Sequence, residues 1–146
     1  MKKINLYSDG SSLGNPGPGG YGTILKYNGK EKELCGGEEN TTNNRMELKG
    51  VIEGLKALKE PCEVHVISDS TYVVKGINEW LASWIRNNWR TASKKAVKND
   101  DLWKEYSEVS KNHKIEASWV KGHAGHEENE RCDILAKQFA EKLKGM

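Results

Sequence analysis

Nowhere in this 146-residue chain do more than three apolar residues follow one another, which excludes a membrane-spanning helix of about 20 residues. Cysteine is sparse: Cys35, Cys62 and Cys132 form an odd, scattered set without a Cys-x-x-Cys pair. That argues against a zinc site and for a reducing compartment. The chain opens Met1-Lys2-Lys3-Ile4-Asn5 with no apolar leader, so a cytoplasmic protein without a membrane partner is expected. Net charge is only +2, too small to name a partner. Its distribution says more. Residues 80–99 hold Arg86, Arg90, Lys94, Lys95 and Lys98 and no acid, while the rest carries 18 basic residues against 21 acidic ones. A basic segment on a mildly acidic body suits a polyanion. The length predicts one domain over 1–146, with a basic handle at about 80–99.

Ile4 and Leu6 alternate with Lys3 and Asn5 and predict a strand ending near Asp9-Gly10. Residues 10–20, GSSLGNPGPGG, are turn-rich. Asn28-Gly29 between residues 21–27 and 31–36 predicts a hairpin, because both central positions of its turn need positive φ. An antiparallel meander of three strands is therefore expected first. Leu48, Val51, Ile52, Leu55 and Leu58 recur at helical spacing until Pro61. Val64, Val66 and Ile67 predict a short strand ending at Asp69. Tyr72, Val73, Ile77, Trp80 and Leu81 predict a helix that continues or bends through Trp84. Leu102, Trp103, Tyr106 and Val109 predict another, capped by Asp100 or Asp101. A last strand (Ile115, Ala117, Trp119) and a closing helix (Leu135, Ala136, Phe139, Ala140, Leu143) follow. Trp103 and Trp119, with Trp80 as a further candidate, are expected in the core, His65 at a strand edge and His113 at a helix end. The order implies an α/β (α+β mixed) fold, a mixed sheet with helices packed on it.

Four acids stand out: Asp9, Glu47, Asp69 and Asp133. Each has an ordinary explanation. Asp9-Gly10 is a turn pair, and Asn44-Arg45-Met46-Glu47 is spaced like a capping box. Asp69 is placed to cap the next helix, and Asp133 to sit on a solvated helix face. Their positions together suggest more. Asp9 and Asp69 both fall at the C-terminal end of a strand, the edge where ligands bind in βαβ sheets. Clustered carboxylates repel and raise one another's pKa, and a divalent cation removes that cost. An oxygen-only set suits Mg²⁺ or Mn²⁺.

YSDGSSLGNPGPGGYG (7–22), TTNNRMEL (41–48), SDSTYV (68–73), VKNDDLW (97–103) and WVKGHAGHEENERCDILA (119–136) together resemble type 1 ribonuclease H of the bacterial, stand-alone form, over essentially the whole chain. The resemblance implies a ribonuclease H-like fold: a five-stranded mixed sheet with helices on both faces. It implies endonucleolytic hydrolysis of the RNA strand of RNA–DNA hybrids, leaving 5′-phosphate and 3′-hydroxyl ends. It also implies two Mg²⁺ ions, with Mn²⁺ able to substitute, held by Asp9, Glu47, Asp69 and Asp133. His123 falls on the family's mobile histidine, with a role in proton transfer or product release. Thr42, Asn43 and Asn44 resemble minor-groove readers of 2′-hydroxyls, and Asn15 with Thr42 a pocket for a DNA-strand phosphate. Ser12 is added to that substrate surface. The segment with Trp80, Trp84 and Trp89 resembles a protruding handle, in which Trp80, Trp84, Arg86, Lys94 and Lys95 are expected to touch the hybrid. A monomer without an obligate protein partner is expected.

The glycines of residues 10–20 do not make a phosphate loop, since no GK[ST] follows and a strand comes next. Other readings are a non-catalytic nucleic-acid module, a different nuclease of the same superfamily and a structural domain with scattered caps. The first would need an acid lost, and none is. The handle is less basic than in familiar bacterial members, Thr71 stands where some carry a longer amide, and Glu38-Glu39-Asn40 is acidic. Weaker hybrid affinity and a steeper metal dependence are expected from these departures.

Overall fold

The computed structural model describes residues 1–122 and 126–145. Three strands come first: β1 (Lys2–Ser12), β2 (Gly17–Tyr27) and β3 (Lys30–Thr41), each antiparallel to the next. Asn28 (φ 54°) and Gly29 (φ 82°) turn β2 into β3, so the Asn-Gly pair adopts the tight turn its chemistry favours. Helix α1 (Asn43–Lys56) crosses to β4 (Cys62–Ser68), which lies parallel to β1. Next comes one interrupted helix: α2 (Thr71–Lys75), a π-helical turn (Gly76–Trp80) and α3 (Leu81–Arg86). Helix α4 (Asp100–Ser110), strand β5 (Lys114–Trp119) and helix α5 (Glu127–Lys144) complete the order. The sheet reads β3-β2-β1-β4-β5, with β5 parallel to β4. No helix among the described residues is long and apolar enough to cross a membrane.

Strand periodicity explains the two layers. Ile4, Leu6, Val64 and Val66 point to one face, where Leu48, Val51, Ile52 and Leu55 of α1 meet Trp103 and Tyr106 of α4 in a buried cluster. Tyr7, Ile24 and Ile67 point to the other, against Cys132 of α5. Burying each of the larger aliphatic side chains contributes about 1.5–3 kcal/mol, and Leu6, Leu48, Val51, Ile52 and Val66 are fully enclosed. Helix α5 lies close to β2 because Gly22 has no side chain. A Cβ there would strike the Cys132 carbonyl. We expect Gly22→Ala to cost about 1–3 kcal/mol in urea unfolding and to lower turnover, because α5 must retreat and carry Asp133 with it. An unchanged unfolding midpoint would show that α5 is not held by this contact.

Several expectations need correction. β1 does not end near Asp9-Gly10 but runs to Ser12, and β2 begins at Gly17 inside the glycine-rich stretch, because residues 9–12 and 19–22 pair across the two strands. Trp119 is 53% exposed rather than core, because β5 is an edge strand and its last residue runs past the covering helices. His65 lies in β4, inside the sheet, where Nε2 meets Ser118 Oγ at 2.7 Å. Neither Asp100 nor Asp101 caps α4; Asn99, left-handed at φ 61°, stands at that position and both acids lie in the first turn. Glu47 is not part of a capping box. Thr42 caps α1 by accepting from the Arg45 amide, and the position a box needs for Glu or Gln is Arg45 itself.

Candidate active site

The parallel register of β1 and β4 pairs Ser8 with Ser68, so the residues that follow, Asp9 and Asp69, are neighbours across the strands. Gly10 then lets the start of α1 descend onto β1. A Cβ at Gly10 would overlap the Glu47 backbone, so the absence of one brings Glu47 beside Asp9. One carboxylate oxygen from each of Asp9, Glu47 and Asp69 lies within 4.8 Å of the other two. Asp133, past the first turn of α5, borders the same small cleft with Asp9, Asp69, Lys121, His126, Asn129 and Glu130.

The local reasons for this arrangement are visible. Ser70, not Asp69, caps α2, leaving the Asp69 carboxylate outside the cap. The Asp69 carbonyl accepts from the Trp119 indole at 3.0 Å and the Val120 amide donates to Ser68 at 2.9 Å, which fixes the end of β4. Asn129 Nδ2 donates to the Ile67 carbonyl at 3.1 Å and ties the first turn of α5 to the same strand.

Burying acids together shifts their protonation. Asp9 and Glu47 are 6% and 5% exposed. Burial, together with the nearby charges of Asp69 and Asp133, pushes Asp9 up to about 7, even though the Gly10 amide donates to it at 2.9 Å. Burial first, and then the Asp9 carboxylate, drive Glu47 well above its ordinary value. The second Glu47 oxygen has no donor, while the first accepts from Asn43 Nδ2 at 3.4 Å. A divalent cation would satisfy the orphaned oxygen, since Asp9, Glu47 and Asp69 converge as a hard oxygen donor set without His or Cys among them. The donors present therefore fit a metal. A hollow of about 530 Å³ lies elsewhere, over β1, β4 and β5 and lined by Lys3, Glu63, His65, Lys114 and Glu116; among the described residues it holds no such cluster.

The other anticipated residues divide. Asn15 Oδ1 accepts from the Asn43 amide at 3.4 Å, so the β1–β2 turn, Thr42 and Asn43 sit together at the start of α1. Asn44 is exposed beside them, and Ser12 bonds within its own turn to the Gly14 carbonyl. Trp84 is half-buried in an aromatic stack with Trp80 and Trp103, with ring centroids 5.8 and 5.4 Å away. Trp80 is 36% exposed. Arg86, Arg90, Lys94, Lys95 and Lys98 are exposed, and none forms an ion pair among the described residues. His123 lies outside the described residues. Sequence reasoning missed Asn129 and Glu130 in the cleft, although they stand four and three positions before Asp133, on its face of the helix.

A nuclease-like acidic site on a mixed five-stranded sheet is the class this geometry defines. The RNase H family model matches residues 1–141. A ribonuclease H of Sulfurovum sp. (strain NBC37-1) is 66% identical over 143 residues, covering 98% of this chain and 94% of the relative. One from Campylobacter concisus (strain 13826) is 60% identical, covering 99% and 96%. Among solved structures, LC9-RNase H1, described as a type 1 RNase H with the type 2 active-site motif, matches with a TM-score of 0.87 at 33% identity, covering 98% of this chain and 74% of that one. This chain belongs to the RNase H family and is a hydrolase of the nuclease class.

Proposed function

We propose that this chain cleaves the RNA strand of RNA–DNA hybrids endonucleolytically, using Mg²⁺ held by Asp9, Glu47, Asp69 and Asp133 and leaving 5′-phosphate and 3′-hydroxyl ends. The observation that carries the reading is the convergence of three carboxylates within 4.8 Å, one of them with an orphaned buried oxygen. In the relatives' fold class, LC11-RNase H1 is a neighbour solved in complex with an RNA/DNA hybrid, with a TM-score of 0.72. We read residues 1–146 as one catalytic domain acting as a monomer in the cytoplasm, with Mn²⁺ able to replace Mg²⁺.

When bound, a pair of divalent ions supplies an acidified water and stabilises the leaving 3′-oxygen. The residues do the rest. Asp9, from the central strand, would hold the metal together with Asp69, its neighbour across the strands. Asp69 and Asp133 flank it. Glu47, linked to Asn43, joins the acidic cluster to the polar start of α1. That segment offers the donors and acceptors needed to recognise a 2′-hydroxyl, the group that separates RNA from DNA. His123 is assigned proton transfer or help in product release. Trp80 and Trp84, with Arg86, Lys94 and Lys95, grip the backbone of the hybrid.

Incubation with hybrid, duplex DNA and duplex RNA, each with and without Mg²⁺, tests the reading. Metal-dependent loss of the RNA strand from the hybrid alone is expected. Equal cutting of duplex DNA would overturn it. Neutralising Arg86, Lys94 and Lys95 to Gln is expected to lower the slope of log affinity against log salt by roughly 2–3, at about 0.7–0.9 per lost phosphate contact. An unchanged slope would remove the handle from the interface.

A further inference from the structure

Arg45 begins inside α1 and ends elsewhere. Its amide closes the Thr42 cap, but its guanidinium leaves the helix and forks onto Asp101, with Nη1 to Oδ1 at 2.9 Å and Nη2 to Oδ2 at 2.7 Å. Nη1 also donates to Asn99 Oδ1 at 3.2 Å. The other end of the Asn99 amide donates to the Tyr72 hydroxyl at 3.1 Å, and the same hydroxyl accepts from the Trp103 indole at 2.8 Å. Asn99 is thus held at both ends. It also holds φ 61°, the left-handed region that asparagine accepts more readily than other side chains do. It stands where the basic segment ends and α4 begins.

As a stability device this cluster is weak, because the Asp101 side chain is 61% exposed and surface pairs contribute about 0–1 kcal/mol. Its geometry is better suited to fixing relative position. The planar fork of arginine matches a carboxylate in two places at once, which an ammonium cannot do. It joins three pieces: the polar start of α1, the exit of the basic segment, and α2 just after Asp69.

The geometry points to Arg45 and Asp101 as a positioning pair that holds the 2′-hydroxyl-reading start of α1 in register with the end of the basic handle, so that one hybrid meets both. The inference rests on the proposed contacts of residues 42–44 and 80–99 with the hybrid. Its discriminating feature is the sign of Asp101. Deleting a negative charge beside a polyanion strengthens binding if charge alone acts, and weakens it if Asp101 holds Arg45 in place.

The experiment measures hybrid affinity without Mg²⁺ by fluorescence anisotropy across a salt series, and KM and kcat with Mg²⁺, at a temperature where melting curves show each variant folded. Asp101→Asn and Arg45→Lys are expected to bind about tenfold more weakly and to raise KM similarly. Their kcat should stay within about twofold and their salt slope should not change, because neither group touches a phosphate. Asp100→Asn, in the same helical turn and paired with Lys104 at 3.6 Å, is the control for helix stability and should bind as the parent does. The triple Arg86, Lys94 and Lys95 to Gln variant runs alongside. Asp101→Asn binding as tightly as the parent or more tightly, while the triple variant weakens, overturns the positioning role alone. If the triple variant also binds normally, the handle reading falls and the positioning role falls with it.

Discussion

Replacing Asp9 or Asp69 with Asn should lower hybrid cleavage by at least about 10³-fold while leaving hybrid binding in the absence of Mg²⁺ within a few-fold of the parent. Asparagine keeps the shape and removes the charge. On the proposed function, what disappears would be a ligand of a hard cation, and with it the stabilisation that cation would give the attacking and the leaving oxygen. Binding should survive because the groups proposed to face the polyanion are elsewhere: the exposed cations of the handle and the polar start of α1. The two variants should differ in folding. Asp9 is buried between β1 and α1, whereas Asp69 is partly exposed, so Asp69→Asn is the cleaner test of chemistry. Quench-flow on a short hybrid gives the chemical step, and anisotropy gives binding. Near-normal cleavage by Asp69→Asn would remove that residue from the site, and parallel loss of binding and cleavage would make its role one of grip.

The second large effect is a stability that depends on pH in the unusual direction. An acid raised in the folded state binds more protons there than when unfolded, so stability falls as pH rises through that window. Asp9 is pushed from 3.8 to about 7, and Glu47 shifts the same way, so the metal-free protein should lose stability between about pH 4 and pH 7. Opposing groups act lower on the scale. Glu31 beside Arg131, Glu128 beside Lys26 and Asp101 beside Arg45 are all held below their ordinary values. Their contribution is present above the usual carboxylate range and is lost as pH falls below it. Urea midpoints should therefore peak near the lower end of the pH 4–7 window when EDTA is present. Asp9→Asn should flatten the decline and be the more stable protein at pH 8 without metal. Mg²⁺ at pH 8 should raise the parent's midpoint and affect Asp9→Asn far less. A parent whose metal-free midpoint rises steadily from pH 4 to pH 8 would contradict the upward shift of Asp9 and Glu47.

Much of this was legible from residues alone, for local reasons. Asn28-Gly29 predicts its hairpin because few other pairs accept two positive φ angles. The position of Asp69 just past β4 follows from where the apolar alternation stops, whereas β1 carries its ladder through Asp9 to Ser12, beyond the point where its alternation ends. The illegible parts are tertiary. Nothing local says that β1 and β4 pair Ser8 with Ser68, yet that register makes two separate acids neighbours. Nor does local pattern reveal that Gly10 is the gap through which Glu47 arrives, or that Gly22 seats α5. Caps were misread where two acids competed with a nearby amide: Asn99 takes the cap position of α4 because Arg45 and Tyr72 hold its side chain. Trp119 reads as core by alternation, but strand alternation does not show where the covering layer ends.

The central claim is that Asp9, Glu47, Asp69 and Asp133 act together as one cation site. Calorimetric titration of Mg²⁺ into the metal-free protein, repeated in buffers of different ionisation heat, tests it most directly. The account predicts saturable binding near pH 6.5 with release of protons, and its loss in Asp9→Asn and Asp69→Asn. Equal Mg²⁺ heats in the parent and both variants, with no proton released, would contradict it.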